Sequence, residues 1–159
     1  MALEIERKYL VINDIYRQLA VSSSHIMQAY LARPEKGVIR VRIRDDRAFL
    51  TVKSRNTGMS RSEWEYSIPV EDAQEMINKI SDGKLIDKTR YIVRYDGMTW
   101  EVDEFHGALE GLIVAEIELP DETTSFKLPP FVGREVTGER RFYNSVLLEI
   151  KAINELGLK

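Results

Sequence analysis

A chain of 159 residues fits one domain, and a hydrophobic content of 43% is enough for a real core. Charged residues reach 31% while the net charge is only -3, so both signs are in excess together; this argues against a general nucleic-acid binder, which is normally clearly basic. There is no cysteine, which excludes disulfides and thiolate metal sites. The chain is charged from Glu4 on, with no apolar run of signal-peptide length and no segment long enough to span a membrane. A cytoplasmic protein with no membrane and no nucleic-acid partner is therefore expected.

Period-two alternation predicts strands over 3–12, 24–32, 37–44, 47–54, 61–69, 86–95, 99–106 and 111–119. A short helix is expected over 14–20, opened by Asp14. Turns are marked at Glu35-Lys36-Gly37, Asp45-Asp46, Asn56-Thr57-Gly58, Asp96-Gly97 and His106-Gly107, and Asp96-Gly97 between two alternating runs is a hairpin signal. Ala73, Met76, Ile77 and Ile80 share helical spacing, which predicts a helix over 71–81. Phe142, Val146, Ile150 and Ile153 predict another over 138–156, stopped by Gly157. Many short strands with few helices give an α+β, mainly β class. Eight consecutive strands favour a closed antiparallel barrel, because closure removes vulnerable edges.

Residues two apart in a strand share a face. Glu4, Glu6 and Lys8 then lie together, as do Arg40, Arg42 and Arg44, Glu63 and Glu65, Lys88 and Arg90, Glu101 and Asp103, and Glu116 and Glu118, with Lys53 alone on the fourth strand. Apolar residues fill the opposite faces. An ordinary sheet with one solvated face would give the same alternation. Here, however, whole strands are acidic or basic. Paired carboxylates want a cation, and Mg²⁺-like ions take carboxylate, phosphate and water oxygens. Paired arginines and lysines want an anion, and guanidinium forks match phosphate. A metal–polyphosphate complex satisfies both sets, if the sheet is rolled with its charged face inward and its apolar face covered by helices or a second subunit. A homodimer is therefore expected.

Glu4-Ile5-Glu6-Arg7-Lys8 resembles the ExExK signature of the CYTH superfamily, the triphosphate tunnel metalloenzymes. The resemblance continues through Arg40-Val41-Arg42, Val52-Lys53, Glu63-Trp64-Glu65, Asp87-Lys88-Thr89-Arg90-Tyr91, Glu101-Val102-Asp103, Glu116-Ile117-Glu118 and Glu139-Arg140-Arg141-Phe142-Tyr143-Asn144. It implies an eight-stranded tunnel, an Mg²⁺ or Mn²⁺ ion and a substrate with a triphosphate. Known members include inorganic tripolyphosphatases, thiamine triphosphatases, class IV adenylate cyclases and RNA triphosphatases, and the fold does not choose among them.

Glu4, Glu6, Glu116 and Glu118 are the expected metal ligands, and Lys8, Arg40, Arg42, Lys53 and Arg90 the expected phosphate grips; for both sets, structural ion pairing is the competing reading. Lys88 is either a further phosphate contact or a general acid. Arg141, or Arg140 in its place, could close one end. Glu63, Glu65, Glu101 and Asp103 could bind a second metal, hold the attacking water or serve as charge partners. Tyr30 could donate to a phosphate or pack in the wall, and His25 and His106 read as surface residues. No serine–histidine pair and no cysteine nucleophile stands out, so hydrolysis by an activated water is expected rather than a covalent intermediate. Inorganic tripolyphosphate or a similarly small triphosphate is the first expectation. A class IV adenylate cyclase, a thiamine triphosphatase and a non-catalytic polyphosphate-binding module are the alternatives.

Overall fold

The computed structural model describes residues 2–32, 35–57 and 59–158; Gly58, in the third predicted turn, lies outside them. Eight strands build the barrel: β1 (Ala2–Val11), β2 (Ala20–Ala32), β3 (Gly37–Arg44), β4 (Arg47–Ser54), β5 (Ser60–Ile68), β6 (Ile86–Tyr95), β7 (Met98–Phe105) and β8 (Ile113–Glu118). Their order is β5-β4-β3-β2-β6-β7-β8-β1, all antiparallel. The ring closes where Leu3 and Glu4 of β1 pair with Ser62 and Arg61 of β5. Between β6 and β7, Asp96 (φ 50°) and Gly97 (φ 76°) are both left-handed, which is the type I′ turn that an Asp-Gly hairpin predicts.

A ninth strand, β9 (Val132–Glu135), was not expected. It pairs with Tyr9 and Val11 of β1, and four residues are too few for alternation to reveal it. β2 also starts earlier than predicted. Ser22, Ser23 and Ser24 hide the alternation, but each finds a partner on β6.

The outer wall is apolar and mostly covered. Helix α1 (Ile15–Leu19) sets Tyr16 against Tyr91 and Phe131, over a layer that includes Tyr9, Trp100, Val102 and Ile117. Helix α2 (Val70–Ile80) starts after Pro69, carries Glu71 and Asp72 in its first turn, and buries Ala73 and Ile77 on Ala29, Val41 and Ala48. On β1 and β5, Leu3 and Tyr66 stay exposed. No helix among the described residues is long and apolar enough to cross a membrane.

The predicted helix over 138–156 is not there. Tyr143 (φ -69°, ψ 133°) and Ala152 (φ -157°, ψ 144°) are extended, and they split the segment into 3-10 turns at Arg140–Phe142 and Ile153–Leu156 around a short helix α3 (Asn144–Leu147). Its apolar spacing has another cause. Phe142, Leu147 and Leu156 bury against Ile86, Phe105 and Val114, which sit on the inward face of their strands, in phase with Lys88, Asp103 and Glu116. The barrel lining thus changes from charged to apolar along its length, and this segment plugs the apolar end.

Candidate active site

Above the plug lies a cavity of about 210 Å³. It is lined by Glu4, Glu6 and Lys8 of β1, Tyr30 of β2, Arg40, Arg42 and Arg44 of β3, and Lys53 of β4. Glu63 and Glu65 of β5, Lys88 and Arg90 of β6, Glu101 of β7, and Glu116 and Glu118 of β8 complete the wall. The alternation that fixes these faces also buries most of the cations: Lys8, Arg40, Arg42, Lys53, Lys88 and Arg90 are each less than a tenth exposed. Asp103 is packed behind the lining. Arg141 lies outside the cavity; it bonds Glu139 and the Leu156 carbonyl and braces the C-terminal turn. Its rival Arg140 sits at the rim of a wider hollow outside the barrel mouth.

The charges pair unevenly. Lys53 Nζ lies 2.9 Å from Glu4 and 3.4 Å from Glu63. Lys8 Nζ lies 3.3 Å from Glu116 and donates to the Phe142 carbonyl at 3.1 Å. Arg90 forks onto Asp103 at 2.8 and 2.9 Å and reaches Glu101 at 3.0 Å. Lys88 Nζ takes the Asp103 Oδ2 at 2.8 Å and Asn144 Oδ1 at 2.9 Å. Both oxygens of Asp103 are therefore spent on cations. On β3 the picture differs. Arg42 Nε donates to neutral Gln28 at 2.7 Å, and among the described residues no carboxylate comes within ion-pair distance of it. Arg40 reaches Thr51 at 3.3 Å and Glu65 only at 3.8 Å, and its buried Nε has no partner among the described residues. Arg44 has the ring of Phe49 at 5.2 Å.

Protonation follows the same division. Burial, with Arg40 and Arg90 nearby, pulls Arg42 below the usual guanidinium range. Burial likewise lowers Lys88 to about 7, aided by Arg90 and Arg42 and opposed by Asp103. Glu116 is held down at about 2 by Lys8 although burial opposes this. Glu6 is pushed well above the usual carboxylate range by burial and by Glu116 and Glu4. Burial and Glu4 raise Glu118 in the same direction. Glu63, which shares a hydrogen bond with Glu4, rises to about 7 through that bond and burial.

Several carboxylates of the lining thus crowd one another. Glu6 faces Glu118 directly across β1 and β8, and Glu101 faces Glu116 across β7 and β8; like charges opposite one another destabilise a sheet unless a cation intervenes. An all-oxygen set of this kind suits a hard divalent ion. Among the described residues no three carboxylates or histidines are already gathered into a cage. That fits an ion held by one or two carboxylates together with phosphate oxygens and water.

The structure also adds residues to the site. Gln28 and Thr51 share the inward phase of Tyr30 and Lys53, and Arg61 shares that of Glu63, so alternation could have found them. Asn144 carries no such signal, since only the path of the C-terminal segment brings it to the cavity.

The sequence model of the CYTH domain matches residues 2–143. An inorganic triphosphatase of Acetivibrio thermocellus is 46% identical over 149 residues, which covers 94% of this chain and 95% of that one. One of Nitrosomonas europaea is 35% identical, covering 91% and 95%. A crystal structure of an inorganic triphosphatase superposes with a TM-score of 0.66 at 32% identity, over 93% of this chain and 95% of that one. With the domain matched over nearly its whole length and the barrel closed as that superposition requires, the chain belongs to the CYTH family.

Proposed function

We propose that this protein hydrolyses a phosphoanhydride bond of inorganic tripolyphosphate, or of a similarly small triphosphate, with the help of Mg²⁺ or Mn²⁺. The observation that carries this reading is the under-neutralised arginine strand: among the described residues Arg42 has an amide rather than a carboxylate as its partner, and Arg40 keeps a buried N–H without an acceptor. Such groups call for an anion rich in oxygen. The cavity, at about 210 Å³, is smaller than the ~300–1,000 Å³ typical of sites for drug-sized ligands. The names of the two relatives, both inorganic triphosphatases, support the same substrate class.

Dependence on a divalent cation is general among CYTH triphosphatases. In this chain one or two of Glu4, Glu6, Glu116 and Glu118 would hold it, while Asp103, spent on Arg90 and Lys88, acts as their counter-charge. A bound divalent ion supplies charge neutralisation and a more acidic water. Arg40, Arg42, Lys8 and Lys53 grip the phosphate oxygens. Arg90 stiffens the wall beside them and offers its remaining N–H groups. Glu63, Glu65 and Glu101 face the same space and orient the attacking water. As that water bonds to phosphorus, the anhydride P–O bond breaks and its electron pair leaves with the departing phosphate, where β3 stabilises the charge. Lys88 has three N–H groups and, among the described residues, bonds Asp103 and Asn144, so one remains for that phosphate.

The test is release of orthophosphate from tripolyphosphate, ATP and thiamine triphosphate with Mg²⁺ or Mn²⁺, in wild type and Glu4→Gln. Metal-dependent release from tripolyphosphate, abolished by chelation and by the substitution, is expected. Cyclic AMP and pyrophosphate from ATP would instead make the protein a cyclase. Tight binding without turnover would make it a binding module.

A further inference from the structure

A chain of hydrogen bonds crosses the floor of the cavity and joins four elements of the fold, β2, β3, β6 and α3. Lys88 Nζ donates to Asn144 Oδ1 at 2.9 Å, and Gln28 Nε2 donates to the same oxygen at 3.2 Å. Gln28 Nε2 also reaches the Tyr30 hydroxyl at 3.3 Å, and Arg42 Nε donates to Gln28 Oε1 at 2.7 Å. Gln28 is fully buried and Lys88 is 1% exposed. The orientation of an amide follows from what its neighbours can accept and donate. Here the neighbours leave one arrangement. A guanidinium can only donate, and so can Lys88 in the charged form that Asp103 favours. Arg42 therefore requires the oxygen of Gln28, and charged Lys88 the oxygen of Asn144. Gln28 must then turn its NH₂ toward Asn144 and Tyr30, which agrees with the oxygen that Lys88 has already selected. The two cations fix the polarity of the whole chain from its ends.

One group is left over. With Oδ1 accepting from two donors, Asn144 Nδ2 carries two N–H groups that have no acceptor among the described residues. Asn144 is half-buried and lines the same cavity as Arg42 and Lys88. The extended Tyr143, which breaks the predicted helix, sets it at the start of α3. We propose that Asn144 is a substrate-binding residue, whose Nδ2–H donates to a phosphate oxygen while its Oδ1 holds Lys88 and, through Gln28, Arg42 in position. This rests on the triphosphate reading of the cavity. A neutral donor suits the place, because a further cation would add repulsion beside Arg42 and Lys88. The plug segment then serves the site as well as the core. It supplies acceptors to two lysines, the Phe142 carbonyl to Lys8 and Asn144 to Lys88, and one donor to the substrate.

Asn144→Asp keeps the shape and both acceptor roles but loses the donor and sets a carboxylate against phosphate. Asn144→Ala removes the amide without adding charge. Binding of tripolyphosphate would be measured by calorimetry without added metal, and turnover with Mg²⁺. A hydrogen bond to a charged partner corresponds to about 10- to 100-fold in affinity, so Asn144→Ala is expected to weaken binding roughly tenfold and Asn144→Asp on the order of a hundredfold. KM should rise in step while kcat falls by no more than about threefold, as expected when binding common to ground and transition states is lost. The ligand-free melting temperature of Asn144→Asp should stay near wild type. If that variant does not fold, Asn144→Ala decides. Unchanged affinity in both variants, with wild type active, overturns the proposal alone. Binding by wild type that the variants weaken, without turnover, leaves it standing and overturns the triphosphatase reading. No binding of tripolyphosphate by wild type, with or without Mg²⁺, and no turnover overturns both.

Discussion

Strands β3 and β6 carry the same motif, two buried inward cations two residues apart, and the barrel treats them in opposite ways. Across from β6 lies β7, which sets Asp103 opposite Arg90 and places Glu101 within reach. Across from β3 lie β2 and β4, which set Tyr30 and Thr51 opposite Arg40, and Gln28 and Phe49 opposite Arg42. Burial works against the charge on Arg90, yet Asp103 and Glu101 raise its pKa well above the usual guanidinium range. Burial also works against Arg42, and there Arg40 and Arg90 push the same way. The pairing strand, more than the motif, decides whether buried cations brace the wall or await a ligand.

The largest way to break this comparison is Asp103→Ala. Removing one partner of a buried ion pair leaves uncompensated charge and costs about 3–5 kcal/mol. Here two cations, Lys88 and Arg90, lose their common partner, so the upper end is expected in urea melts. A melt that matches wild type would mean that Arg90 is no brace. Arg42→Met should behave the other way. It leaves Gln28 Oε1 without its donor, worth about 1 kcal/mol, but it also removes a buried charge that has no carboxylate within ion-pair distance among the described residues. Ligand-free stability should therefore move little, while tripolyphosphate loses most of its affinity and its stabilising effect in thermal shift assays. A ligand-free collapse comparable to that of Asp103→Ala would erase the distinction between the strands.

Much of this was legible before any coordinates. Alternating charge gave the inward faces, and Asp96-Gly97 gave the hairpin. That two-residue turn also fixes register, so the pairing of Arg90 with Asp103 was within reach. The company of β3, its chain neighbours β2 and β4, was in reach, and that of β6 only half so. β2 pairs with β6, far along the chain, and nothing local foretells that crossover. β9 was too short to see. The segment 138–156 misled because its apolar residues repeat at helical spacing, yet Phe142, Ile150 and Ile153 pack on the end of a barrel that the local sequence does not contain. Asn144 was hidden for the same reason.

A third ion group, on the outer wall, gives the lower end of the scale. Glu104 accepts from the Tyr16 hydroxyl at 2.6 Å and from both arms of Arg17 at 2.8 Å. Burial opposes its charge, but these bonds hold its pKa below the ordinary glutamate range. A lowered folded pKa stabilises above the unfolded value of about 4.3, and the contribution fades as pH falls through the folded value. Glu104→Gln should therefore melt slightly below wild type at pH 7, and the gap should close in acid. Added salt should narrow it too, since Arg17 is half-exposed and screened. The Asp103→Ala gap should hold in salt, because both its cations are buried. If salt closed the two gaps alike, Asp103 would have to be reached by solvent, and the β6–β7 wall would be no drier than the outside of the barrel.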